Sequence, residues 1–405
     1  MKRNNKQPIT THCKDCGSEF TITVTEQERF AQLNYDLPKR CMQCRNHRRK
    51  ARIEREEAEA RAKEQAAAAK PQQEEEIRLN SLLSNIPFKA TIVENIDLSN
   101  PEQALFIIGN GFDLMHGIPS SYWDFQKSLG KHNELRYYLE TYIKCDNLWS
   151  DFENNLAHLD AGAMLDVVDM WLQIYDAYDP DAKAADYYSA IDIAMLPIEI
   201  ITDKLPKRFR QWVDSLVIDP QKKPLANLLY PSARYLSFNY TDTLEISYNV
   251  PATSINYIHG CRKNKKDSLI LGHVPDVDYL DEYQPAQGLV PQYRSKRKAA
   301  LLDNAMDIEA TQWISYYDEQ TTKHTPEIIE SNRPYWDLMT DIESIVTIGH
   351  SLAKVDYPYF SEIVRHNNGK AEWYIGYHSS QDLQRITTFV NMMGLEISKI
   401  HIFRT

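Results

Sequence analysis

The chain reads as an α/β protein: a doubly wound, mostly parallel sheet, preceded by a small cysteine-bearing module and a helical linker. Three observations carry that reading. After residue 101, short apolar runs alternate with longer stretches at helical spacing, the pattern of strands buried on both faces and joined by helices. One such run, within "ALFIIGNGFDLMHGIPSSYWDF" (104–125), passes straight into glycines, as a central parallel strand does before a ligand-binding turn. Four of the six cysteines stand in two Cys-x-x-Cys pairs near the N-terminus, apart from that alternation. The expected divisions are 1–50 for the module, 51–100 for a charged helix and linker, and 101–405 for the α/β domain.

The module comes first. Cys13, Cys16, Cys41 and Cys44 form a C-x-x-C…C-x-x-C set, in which each pair turns two thiolates to one side and two pairs complete a tetrahedral zinc site. A closed four-thiolate site keeps no open coordination position, so the zinc is structural, and a segment this small needs the metal to fold. His12 and His47 lie nearby, but four thiolates suffice. The basic run Arg45, Arg48, Arg49 and Lys50 can contact nucleic-acid phosphates, or it can pair with Glu54, Glu56 and Glu57 on a solvated helix. That helix is expected over 45–70, ending before Pro71, with a connector over 71–100.

Strands are then expected at Leu105–Ile108, Tyr235–Phe238, Ile255–Ile258, Leu269–Leu271, Ile345–Ile348, Trp373–Ile375 and Ile400–Phe403. "AMLDVVDMWLQIYDAY" between the first two has helical spacing. With 42% hydrophobic residues, 7 Trp and 24 Tyr, the chain can fill a sizeable core. A net charge of −11 argues against coating nucleic acid as a whole, though it allows a local basic patch. There is neither an apolar run of about 18 residues nor a signal-peptide pattern, so a cytoplasmic protein without a membrane partner is expected.

Four strand ends carry chemistry: Gly109-Asn110-Gly111, Asn239-Tyr240-Thr241-Asp242, His259-Gly260 and Gly349-His350-Ser351. In a doubly wound sheet they converge on one crevice, and a nucleotide is the first candidate ligand. Amides at Gly109–Phe112 can face phosphates, although the same turn would serve tight strand-to-helix packing. Asn239 and Asp242 can hold ribose or water, or can cap the helix starting near Thr243. His259 is placed as a base if its pKa shifts only modestly, and is otherwise a buried structural histidine. Asp113 suits a helix N-terminus whether or not it meets ligand. His273 and His350 have no assigned chemistry; Trp149 reads as core, with Asp151 and Glu153 open.

"LFIIGNGFDLMHGIPSSYWDF", "LWSDFENNL", "LSFNYTDTLE", "INYIHG" and "IVTIGHSLAKVDYPYF" together resemble the bacterial abortive-infection AbiH family of phage-defence proteins. More distantly, the same order resembles the sirtuin-like NAD-binding fold, a Rossmann-like architecture. That resemblance implies NAD as ligand or substrate, with Asn239, His259 and Asp242 catalytic. Its cofactor-binding set would be Gly109, Asn110, Gly111, Phe112, Asp113, Gly117, Ile118, Pro119, Gly349, His350 and Ser351. Asn239 and Asp242 stand three apart rather than two, and after His259 there is only Cys261 where deacylating sirtuins insert a four-cysteine zinc module. NAD cleavage to nicotinamide and ADP-ribose is therefore preferred over lysine deacylation. The rival expectation is a non-catalytic nucleotide-binding switch. The N-terminal segment resembles short bacterial zinc-ribbon modules; its expected role is sensing or docking another macromolecule, a phage component or nucleic acid, and homo-oligomerisation is left open.

Overall fold

The computed structural model describes residues 7–25, 27, 31, 36–41, 43, 44, 50, 74–96, 98–174, 184–266, 268–273 and 305–405. It divides into two compact units, Met1–Ser84 and Asn85–Thr405. In the first, β1 (Ile9–His12) pairs antiparallel with β2 (Glu19–Ile22), in a register that sets Ile9 opposite Ile22 and His12 opposite Glu19. The connection turns through Cys13–Cys16 onto Gly17, whose φ of 72° suits glycine, and the Gly17 amide donates to the Cys13 carbonyl at 2.9 Å. Arg45, His47, Arg48, Arg49 and the expected helix to residue 70 lie outside the described residues; Lys50 is described as helical.

The second unit is the α/β domain. Its sheet contains β3 (Lys89–Thr91), β4 (Ala104–Ile108), β5 (Arg234–Ser237), β6 (Ile255–Tyr257), β7 (Ser344–Ile348), β8 (Glu372–Tyr377) and β9 (Ile400–Arg404), in the order β3-β9-β8-β7-β4-β5-β6. All the pairings are parallel. The chain winds outward from β4 through β5 to β6 and, on the other side, from β7 through β8 to β9. The β4–β7 boundary is thus the topological switch point, where loops diverge and open a crevice. All five residues of β4 are 0% exposed, so the strand is covered on both faces.

Two strand expectations change. β3 lies in the stretch expected as connector; its "KAT" is exposed or half-buried and has no apolar pattern that sequence reading could find. Leu269–Leu271 is not a strand. Leu269 and Leu271 pack against the helical core, the Ile270 amide donates to the His259 carbonyl at 2.9 Å, and only His273 makes a parallel bridge, to Thr322. The helical core is supplied by helices Tyr122–Leu129, Glu134–Tyr142, Ala161–Ile174 and Ala184–Ser215. Along the last of these, Ile191, Met195, Ile198, Leu205, Phe209 and Trp212 repeat at helical spacing and are buried.

Candidate functional site

The glycines at the switch point exist because two backbones cross there. A Cβ on Gly109 would lie 2.5 Å from His350 Cα, one on Gly111 would lie 2.7 Å from Gly349 Cα, and one on Gly349 (φ 63°) would lie 2.2 Å from the Phe112 nitrogen. The amides follow suit: Gly109 N–H donates to Ile348 O (3.0 Å), Gly111 N–H to Gly349 O (2.8 Å) and Phe112 N–H to Gly109 O (2.9 Å). These three donors are already spent, so a phosphate cradle over Gly109–Phe112 could draw only on the fourth amide, that of Asn110. The helix that follows, Asn110–Met115, is only six residues long.

Gly117-Ile118-Pro119 also has a structural explanation. Gly117 takes φ 74° just past the helix, and Ile118 sends its amide back to Asp113 O at 3.1 Å and its side chain into the helical core. Phe112 is fully buried, its ring 4.4 Å from that of His116. Phe112, Gly117, Ile118 and Pro119 are therefore absent from the cavity wall described next, because a helix stop and the core claim them.

Beside this crossing lies a cavity of about 590 Å³. Gly109, Asn110, Gly111, Asp113, Asn239, His259, Gly349, His350 and Ser351 line it, as the sequence expected of a single crevice. Asp242 does not: although it precedes helix Thr243–Tyr248, its side chain makes no cap and instead accepts from Arg262 Nε at 2.7 Å. Arg262 also donates to the Val213 carbonyl at 3.2 Å, so Asp242 belongs to a structural ion pair.

Asp113 is 1% exposed and joins the β4 and β5 loops by accepting from Thr241 Oγ1 (2.6 Å) and Thr243 Oγ1 (2.7 Å). Burial raises its carboxyl, and these hydroxyls, with the Asn239 amide nearby, work against that rise. Asn110 is turned to structure, its Nδ2 donating to Ser120 O at 2.9 Å. His259 projects past β6 at a turn where Gly260 takes φ 84°, and its ring meets Phe238 and Tyr359. Burial above all, then Lys323 and His350, pushes its pKa well below the usual histidine range, far beyond the modest shift a base at neutral pH requires.

Lys323 and Asp356 complete the wall from outside the four strand-end clusters. Lys323, 3% exposed, pairs with Glu153, which also accepts from the Tyr122 hydroxyl and, at 3.3 Å, from Tyr240. Burial and the Glu153 charge raise both phenols well above their ordinary range, keeping them donors. Lys323 lies between helices Ala305–Thr321 and Thr325–Ser331, held by its amide on the His273 carbonyl; nothing in the local sequence marks it. His273 itself is outside the wall, its Nε2 3.4 Å from Asp318. Asp356 also lines the cavity and falls within "IVTIGHSLAKVDYPYF", soon after Ile348 ends β7; an acid that close to a strand end is the signal that could have found it. Trp149 is core, as expected, and Asp151 lines the cavity with Glu153.

The most informative atoms are those without partners. Among the described residues, Ser120 Oγ, Asn239 Oδ1 and Nδ2, His259 Nε2 and Asp356 Oδ1 are buried without a hydrogen bond, and all four residues line this cavity. Buried polar atoms are normally paired, so such a cluster marks a place where a ligand or water completes the bonding.

In the N-terminal unit the four cysteine sulfurs lie within 4.8 Å of one another, with Cys16 Sγ and Cys41 Sγ 3.7 Å apart. Tetrahedral bonds of ~2.3 Å imply sulfurs about 3.8 Å apart, so the residues fit a structural zinc. Arg40 Nε reaches both Asp15 oxygens at 2.9 Å beside them. Among the described residues no helix is long and apolar enough to cross a membrane.

Comparison with known proteins agrees with both units. Residues 7–53 match a family described as a probable treble clef domain. No curated protein and no solved structure matches the chain. Residues 105–377, more than half of the chain and all four of the strand ends that carry chemistry, match bacteriophage abortive infection AbiH, and the chain belongs to that family.

Proposed function

We propose that the chain is an abortive-infection effector that hydrolyses the N-glycosyl bond of NAD in this cavity, releasing nicotinamide and ADP-ribose. The observation that carries the reading is the convergence of unpaired buried atoms of Ser120, Asn239, His259 and Asp356 on one cavity at the strand ends. Leaving such a group unpaired costs roughly 1–3 kcal/mol, which a ligand that pairs it offsets. The volume, about 590 Å³, lies within the ~300–1,000 Å³ typical of small-molecule sites.

The wall carries five acidic residues and one lysine, and that lysine is already paired with Glu153. Such a wall suits the cationic nicotinamide–ribose end of NAD better than its pyrophosphate. In this reading the Asn239 amide holds a ribose hydroxyl or the attacking water. Neutral His259 accepts a hydrogen bond through Nε2, and Phe209 and Trp212 keep bulk water out. The zinc-held module docks a phage component or nucleic acid.

Nicotinamide release by the purified full chain, wild type beside Asn239→Ala, tests this. Release by wild type, lowered at least about 100-fold in the variant, is the expected result. The depressed pKa of His259 favours one alternative, a nucleotide-binding switch whose output lies in the N-terminal module. Saturable NAD binding with no release, in vitro and in infected cells, would replace the first reading by that one.

A further inference from the structure

Helix Tyr357–Asn367 begins at Asp356, yet the Asp356 side chain makes no capping bond. Its carboxyl turns instead to the cavity: Oδ2 lies 3.4 Å from His350 Nε2, and Oδ1 is buried with no partner. The histidine is fixed from its other side. His350 Nδ1 accepts from the Leu352 amide at 3.0 Å, so the proton of the neutral ring sits on Nε2 and faces Asp356. Leu352 adopts φ 48° to make that bond, a conformation a leucine rarely takes. Phe238 and Phe360 close on the ring at 4.4 and 5.2 Å.

We propose that Asp356, oriented by His350, is the group that takes the proton from the attacking water; the assignment rests on the NAD-hydrolysis reading for its substrate. The water oxygen adds to ribose C1′ while one of its protons passes to the Asp356 carboxylate. The C1′–N bond breaks, its electron pair neutralising the pyridinium ring, and Asp356 later returns the proton to solvent. Asp356 contacts the reacting water, whereas His350 is a positioning residue.

The surroundings suit the task. Burial lifts the Asp356 carboxyl to about 7, with Lys323 pulling it down and Glu153 and Asp151 pushing it up. Tyr240 and Tyr359 are close enough to feel its charge. His350 is held down to about 3 by burial and Lys323, so it stays a neutral donor. His259 is likewise kept neutral, by burial first and then by Lys323 and His350.

The test uses the full chain, with turnover measured against pH and the aspartate carboxyls observed by carbon-13 NMR. Asp356→Asn is expected to lower kcat at least about 100-fold with KM within about threefold, and to remove a carboxyl signal that titrates near neutrality. His350→Phe keeps a ring between Phe238 and Phe360 but takes away the Nε2–H that faces the carboxylate, so the acid limb of the kcat profile should move to higher pH; a purely structural loss would leave the limb in place. Asp356→Asn retaining more than about a tenth of kcat overturns the proposal, as does an Asp356 carboxyl ionised from about pH 5 upward, whatever the turnover. Absence of turnover in wild type, with the carboxyl titrating as expected, instead overturns NAD as the substrate and supports Asp356 as the proton-exchanging group.

Discussion

At the β4–β7 crossing, the amides of Gly109, Gly111 and Phe112 are bonded within the fold and the glycines have no room for a side chain; at the ends of β5 and β6, Asn239 and His259 are buried and leave polar atoms unpaired. The first region spends its residues on bringing two loops together. The second leaves polar atoms of its side chains without a bond in the cavity wall. Both stand at the C-terminal ends of parallel strands, so position alone does not separate scaffold from site; the hydrogen-bond account of each atom does.

The largest expected effect comes from breaking the crossing. In Gly349→Ala, a methyl would have to sit 2.2 Å from the Phe112 nitrogen on a backbone at φ 63°. Backbone strain and overpacking together predict a loss of roughly 2–6 kcal/mol, read as a lowered midpoint in urea unfolding. A wild-type midpoint in this variant would mean that the two loops are not locked together.

The opposite sign is expected on the other side of the comparison. Asn239→Leu replaces two buried polar atoms that make no hydrogen bond of normal geometry with an apolar group of similar size; the gain is offset in part by lost support for the Asp113 carboxyl, and stability should rise by up to about 1 kcal/mol while NAD binding is abolished. Calorimetry of unfolding and of NAD titration on the same preparation checks both halves. A destabilised variant would show that Asn239 is satisfied in the native protein and serves the fold.

The sequence disclosed the sheet and the convergence of strand ends because apolar runs and glycine turns are local signals. It also disclosed the four cysteines, whose spacing encodes a metal site. It did not separate Gly117-Ile118-Pro119 and Asp242, which lie outside the cavity wall, from the residues within it, since a helix stop and an ion pair use the same residue types as a ligand site. The Asp242 partner, Arg262, lies twenty residues away, and no local pattern reveals whether a carboxylate has been claimed. Lys323 was illegible for a related reason: the bridge between His273 and Thr322, a tertiary contact with no local signal, helps to bring it to the cavity. Asn239 and His259 were visible because they sit directly after strands, where topology fixes their position.

The smallest expected effect is a balance. Asp356 is raised to about 7 from an ordinary value near ~3.9, so between those pH values the folded chain holds a proton the unfolded chain has lost, and stability falls as pH rises. Asp113, also raised by burial, contributes a slope of the same sign. His350 is lowered to about 3 from ~6.5, so between those values the unfolded chain holds the extra proton and stability rises with pH. His259, lowered well below its usual range, adds to that rise. Between about pH 4 and 6.5 the slopes of Asp356 and His350 oppose each other nearly one for one, while Asp113 and His259 pull in opposite directions. Asp356→Asn removes one acid from the balance, so its unfolding free energy should climb over that window relative to wild type. Parallel slopes for the two proteins would mean that the Asp356 carboxyl is ionised in the fold, and that its unpaired oxygen is stabilised by water rather than kept for a substrate.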